Sequence, residues 1–201
     1  MKKCLIFIIG LLYLTSSRAQ ETSRDTSVLS LTFTPTSIIG FNPTLRAGVE
    51  YWFQPALRAE LEGGWLFGDN WIGQDQRGAR VIGSFKVGKV GQLNFIMNAD
   101  YRRIVQDRFG YVEQMGGAFF TAEDRTVVRS RIGGSLGVGK HYYFKESGIG
   151  TEWSIVIGFA NLNNQNFVVE NGNSLLRSSS NEINGFIDFV FKFKFPVKRW
   201  P

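Results

Sequence analysis

The chain has 201 residues, of which 43% are hydrophobic and 14% aromatic, with a formal net charge of +6 and a single cysteine. One cysteine excludes a disulfide-stapled secreted domain. After residue 20 no stretch holds the ~20 consecutive apolar residues of a membrane helix, and 18 Phe, 6 Tyr, 5 Trp and 23 Gly against five Pro favour strands over helices.

The N-terminal "MKKCLIFIIGLLYLTSSRAQ" begins with Lys2 and Lys3, runs apolar from Leu5 to Leu14 and reaches Ser17-Arg18-Ala19. A basic start, a short apolar stretch and a small-x-small site predict a secretory signal peptide. The ten-residue apolar run is too short to cross a bilayer as a helix. Cleavage of residues 1–19 leaves 20–201 as one domain. It removes three basic and no acidic residues, so the formal charge falls from +6 to +3, and it removes Cys4. Thiol catalysis and cysteine-ligated metal sites are thereby excluded, and nucleic acid is not expected as a partner of an exported chain.

Period-two alternation then recurs to the C-terminus, as strands require. The first segment is Val28 to Pro35, with Leu29, Leu31 and Phe33 on one face. The second, Leu45 to Phe53, sets Leu45, Ala47, Val49, Tyr51 and Phe53 against Arg46, Gly48, Glu50 and Trp52. In the third, Leu57 to Leu66, Leu57, Ala59, Leu61, Gly63 and Trp65 oppose Arg58, Glu60, Glu62 and Gly64. The fourth runs from Arg80 to Val87 and the fifth from Leu93 to Arg102, with Val81, Phe85, Phe95, Met97 and Tyr101 opposite Arg80, Lys86, Asn98, Asp100 and Arg102. The sixth spans about Val128 to Phe144, with Ile132, Leu136 and Val138 against Arg129, Arg131 and Ser135. In the seventh, Thr151 to Phe159, Trp153, Ile155, Ile157 and Phe159 oppose Glu152 and Ser154. The eighth, "EINGFIDFVFKFKFPVKRWP", puts Phe189, Phe191, Phe193 and Phe195 on one face.

Short and long connections alternate. Gln54-Pro55, "KVGQ" and "KESG" are tight, whereas "TSIIGFNP", "FGDNWIGQDQRG", residues 103–125 and residues 161–182 are long. Short periplasmic turns and long extracellular loops are the asymmetry of an outer-membrane barrel. An open sheet edge is not tolerated in lipid, so eight strands with an apolar outer face must close. The expected fold is all-β, an eight-stranded antiparallel up-and-down transmembrane β-barrel.

An eight-stranded barrel has an interior just wide enough for side chains. The inward set is Arg46, Arg58, Arg80, Arg102, Arg129 and Arg131 with Glu50, Glu60, Glu62, Asp100, Glu152 and Asp188. Six arginines against six carboxylates predict an interior ion-pair network and a plugged barrel, because buried charges must be paired. Lys192 and Lys194 are expected at the periplasmic rim, beside Lys198-Arg199. Phe53, Trp65, Tyr101, Tyr142, Trp153 and Phe195 are expected near strand ends as interfacial aromatic girdles.

With its eight alternating segments and the terminal "FVFKFKF", the chain resembles the small eight-stranded outer-membrane proteins of the OmpX and OmpA-transmembrane-domain type, in the style of the porin-family barrels of Bacteroidota. The resemblance is one of pattern and covers nearly the whole mature chain; "PVKRWP" departs from it by adding residues after the aromatic run. It implies outer-membrane localisation, lipid contact, recognition of the last strand by the barrel-assembly machinery, a monomer, and no catalysis. A structural or surface-interaction role is then expected through loops 103–125 and 161–182, whose apolar groups "GYVEQMGGAFF" and "NFVVENGNSLL" either suit a partner or extend the hairpins above the membrane; residues 103–125 fit a loop or strand extensions equally.

Other motifs are weaker. "GGSLGVGKH" nearly matches a phosphate-binding loop, but His141 replaces the Ser/Thr and a strand follows instead of a helix. Its glycines 133, 137 and 139 read better as inward positions that relieve crowding. His141, the single histidine, is expected at the girdle or rim near the periplasmic end, and no serine is paired with it in the manner of a lipid A-modifying barrel enzyme. Glu60 and Glu62 read as ion-pair members rather than a Ca²⁺ or acid/base site, and no cofactor or metal is expected. A soluble lipocalin-like carrier, with apolar faces inward, and a narrow channel are the remaining alternatives.

Overall fold

The computed structural model describes residues 27–35, 44–66, 76–113, 120–144, 148–170 and 173–199. The expected leader 1–19 with Cys4, the connections at 36–43 and 67–75, and Trp200 lie outside the described residues. Eight strands follow in chain order: β1 (Ser27–Phe33), β2 (Thr44–Gln54), β3 (Leu57–Leu66), β4 (Gln76–Val87), β5 (Leu93–Glu113), β6 (Phe120–Tyr143), β7 (Gly150–Glu170) and β8 (Asn173–Arg199). Each pairs antiparallel with its neighbour, and β1 pairs with β8, so the sheet is a closed up-and-down barrel. No helix among the described residues is long and apolar enough to cross a membrane, which says nothing about strands.

At one end the chain turns tightly. Gly91 (φ 78°) and Gly148 (φ 67°) take the left-handed conformation that costs other residues energy. Gly148 N–H donates to the Phe144 carbonyl (2.8 Å) in the β6–β7 connection, Gln92 N–H to the Lys89 carbonyl (3.2 Å) in the β4–β5 turn, and Gly91 N–H ties that turn to the His141 carbonyl of β6 (2.8 Å). At the far end the two longest connections are hairpin extensions, one of the two readings the sequence leaves open, rather than loops. Residues 103–113 and 120–125, and likewise 161–170 and 173–182, continue the strands: β5 and β6 stay paired to Glu113↔Phe120, and β7 and β8 to Glu170↔Asn173. β5 to β8 therefore have 21, 24, 21 and 27 residues, about twice the nine to eleven a membrane strand needs. Thr126 donates to Asp107 (2.9 Å) and Asn166 to Ser178 (2.8 Å), so polar cross-strand pairs hold this extension together.

The C-terminal departure resolves as a bulge. β8 runs on past Phe195, and Pro196 sits opposite Ser30 next to a register shift between Leu29 and Ser30. Proline lacks the ladder N–H, and a bulge is where a sheet accepts it.

Crowding inside is relieved by glycine, as the motif at 133–141 predicts. A Cβ at Gly137 would collide with the Ile155 carbonyl and lie 2.5 Å from Val156 Cγ1, whereas a Cβ at outward-facing Gly134 would meet nothing closer than 3.7 Å. Gly137→Val is expected to lower the unfolding free energy by about 1–3 kcal/mol through overpacking. Gly134→Val is the matched control with little change, and denaturant midpoints of the two variants decide.

Candidate functional site: the charged interior and its chamber

The two faces of the wall are chemically opposite. Outward residues such as Leu61, Trp65, Phe95, Leu136 and Phe159 are each more than 60% exposed, whereas Glu50, Arg58, Lys86, His141 and Lys194 are at most 1% exposed. Alternation does this: the strand parity that sends Tyr51 and Phe53 out sends Glu50 and Trp52 in.

The lower half of the interior is one connected network. Lys86 of β4 donates hydrogen bonds to Glu50 (3.0 Å) and Glu152 (2.5 Å) and ion-pairs with Glu60 (2.7 Å), three carboxylates from three strands. Lys194 reaches Glu50 (2.6 Å) and Glu152 (2.7 Å), and Lys192 reaches Glu60 and Glu62 (both 2.8 Å). Arg46 pairs with Glu62, which also accepts from Thr34 (2.9 Å). Arg58 lies 3.1 Å from Glu152 and 3.7 Å from Glu50. Five cations surround four carboxylates, so each carboxylate has at least two cationic partners.

Two expectations are corrected by this geometry. Lys192 and Lys194 are not at the rim; they are buried at the centre of the network. The β8 ladder continues to Arg199 against β1, which moves both lysines well inside the wall. His141 is not at a rim or girdle either. It is fully buried, its ring 5.6 Å from that of Trp52 and 4.6 Å from that of Tyr143. Arg58 Nη1 lies 2.6 Å from His141 Nδ1. A guanidinium has only donors, so Nδ1 accepts and the ring proton is on Nε2. Arg58 also stacks 4.8 Å from the Trp52 ring, and Trp52, Arg58, His141 and Tyr143 together close the tight-turn end.

The upper half departs from one-to-one pairing. Arg80 holds Asp100 at 2.5 Å and approaches Asp188 at 4.0 Å, and Arg131 is 3.5 Å from the same Asp100. No carboxylate of the described residues comes within ion-pairing distance of Arg102, so its expected place in the ion-pair network is corrected. Asp188 is at the margin, its side chain 39% exposed. Between the halves the void is only about 30 Å³. Beyond the arginines a chamber of about 190 Å³ opens, with Arg102, Arg129 and Arg131 on its wall together with Leu162, Asn164 and Glu182.

The six expected girdle aromatics all face outward. Phe53, Tyr142, Trp153 and Phe195 lie toward the tight-turn end, and Trp65 lies at the far end of β3. Tyr101 faces out as expected but lies inside β5 rather than near its end, because β5 runs on to Glu113. Residues 133–141 are unbroken β6 strand, with Lys140 turned outward over the Tyr142 ring (4.9 Å), so no phosphate loop forms there. No cluster of three potential metal ligands occurs among the described residues. Comparison with protein-family models, curated proteins and solved structures returns no match for this chain.

Sequence reasoning missed Lys86, Lys192 and Lys194 as network members. Strand parity was the available signal: Lys192 and Lys194 share the parity of Asp188, and Lys86 that of Arg80 and Ser84.

Proposed function

We propose that this chain is an integral outer-membrane β-barrel, a non-conducting and non-catalytic scaffold that presents the β5–β8 extension beyond the bilayer. The observation that carries the reading is the inversion of polarity across the wall. A water-soluble barrel would have to hydrate its outer Leu, Phe, Ile and Trp side chains while leaving the nine charged side chains of the network in its core. A bilayer removes the first cost, and mutual pairing offsets the second.

The height of the apolar surface supports the same reading. Along β7 the outward series Trp153, Ile155, Ile157 and Phe159 gives way to Asn161 and Asn163. On β8 the extension is exposed and polar at Ser178, Ser179, Ser180 and Asn181. A belt bounded by aromatics and followed by polar strand fits lipid below and water above. Among the described residues, the interior voids of about 30 and 190 Å³ are both lined by arginines and other polar side chains, which does not suit the apolar ligand of a lipocalin-like carrier. Among the same residues, Lys86 and its three carboxylates from three strands bridge the lumen, which supports a non-conducting barrel. A lipid-modifying enzyme is disfavoured because a general base must reach its substrate, and His141 is sealed at the closed end with Nδ1 occupied by Arg58.

The test is fractionation followed by gel mobility in SDS with and without boiling. The expected result is recovery in the outer-membrane pellet, with a heat-dependent mobility shift. Recovery in the soluble periplasm without a shift would overturn the proposal.

A further inference from the structure

The arginines of the upper interior are arranged in a way that pairing within the barrel does not explain. The register places Arg80 opposite Arg102 and Arg102 opposite Arg131, so three guanidinium groups occupy one row of three adjacent strands. Like charges directly opposite one another destabilise a sheet. Asp100 is shared between Arg80 (2.5 Å) and Arg131 (3.5 Å), and Arg102, between them, has no carboxylate partner among the described residues. Arg131 lies 3.9 Å over the Phe186 ring; its Nε is turned to Asp100 (3.5 Å), and its buried Nη2 has no hydrogen-bond acceptor.

These unused donors border the chamber of about 190 Å³. That volume is far above the ~10–15 Å³ one water requires, so it has space for a hydrated ion. Arg129 adds a third cation to the wall, Glu182 is the single carboxylate on it, and Asn164 and Asn184 supply amides. Asn164 Oδ1 is buried without a donor, and rotating the amide would present Nδ2 to the chamber instead.

We propose that this chamber is a binding site for a phosphate or sulfate group, held by Arg102 and Arg131. Planar guanidinium groups match a tetrahedral oxyanion with paired N–H···O bonds, which a halide cannot reproduce. The bound anion supplies the negative charge that the arginine row lacks. The ligand is free phosphate or sulfate, or the phosphate of a lipid headgroup entering from the extension side. The site depends on the barrel interior alone and stands whether or not the outer face contacts lipid.

The experiment uses the full barrel folded in zwitterionic detergent, titrated calorimetrically with inorganic phosphate and sulfate in a chloride background. A second titration uses mixed micelles carrying a phosphomonoester lipid. Saturable binding is expected in at least one arm, and the arm that binds identifies the source. Arg102→Gln and Arg131→Gln are each expected to weaken binding at least about tenfold, the loss of charge-assisted hydrogen bonds. Arg77→Gln, on the exposed outside and paired with Asp107 at 3.6 Å, is expected to bind as the parent does. Arg102→Gln should also melt higher than the parent without anion, because it removes the central repulsion, and should gain nothing from added phosphate. That readout distinguishes a lost site from a lost fold. Absence of saturable binding in both arms, or unchanged binding in Arg102→Gln, would overturn the proposal.

Discussion

Replacing Glu50 with glutamine is expected to destabilise the folded barrel by about 3–5 kcal/mol, the cost of leaving buried charges uncompensated. Glu50 is completely buried, and both its carboxylate oxygens lie 2.6 Å from Lys194 Nζ. Lys86 is 3.0 Å away and Arg58 3.7 Å. Glutamine keeps the shape but removes the charge. Lys194 would then depend on Glu152 alone, which already serves Lys86 and Arg58. The intact network is not a large net stabiliser, since desolvation offsets most of its Coulomb energy; the asymmetry is in breaking it. The double variant Glu50→Gln/Lys194→Met removes one charge of each sign and should recover part of the loss, a coupling that a mutant cycle reads directly. Urea unfolding of the detergent-folded barrel measures both. A Glu50→Gln barrel within about 0.5 kcal/mol of the parent, the range of an ordinary surface change, would mean that the network is hydrated rather than dry.

The parts of this architecture that were legible from sequence are those that alternation encodes locally. Arg46, Glu50 and Trp52 share a parity, as do Arg58, Glu60 and Glu62, and each set lies on one face whatever the neighbouring strand does. Strand ends are not local. Residues 161–166, "NLNNQN", and 178–184, "SSSNEIN", carry polar side chains on both faces, so no hydrophobic period marks them as strand. They are strand because they pair with each other, as Asn164↔Ser180 does. Lys192 and Lys194 illustrate the same limit. Their parity pointed inward, but their depth depends on how far β1 follows β8, which only the register reveals. The arginine row is less legible still. Arg80, Arg102 and Arg131 each look like one charge on one strand, and their alignment emerges only when three strands are set side by side.

Leu136→Arg separates the two environments the outer face can have. Leu136 points away from the interior, is 67% exposed, and lies between outward-facing Met97 and Ile157 on the neighbouring strands. It sits well inside β6, away from both the tight turns and the polar extension. If lipid covers this position, the arginine enters hydrocarbon, and the barrel is expected to lose about 2–4 kcal/mol. If water covers it, the same substitution replaces a costly exposed leucine with a hydrated cation, and stability is expected to stay within about 0.5 kcal/mol. Asn163→Arg, beyond the end of the apolar series on β7, is the depth control and should be nearly neutral in either case. The measurement is urea-dependent folding into lipid vesicles, read as the fraction that resists SDS before boiling. A graded loss, large at Leu136 and absent at Asn163, follows from a bilayer of finite thickness around a polar-cored wall. Equal, small effects at both positions would place the whole outer face in water and would require another partner to cover its leucines and phenylalanines.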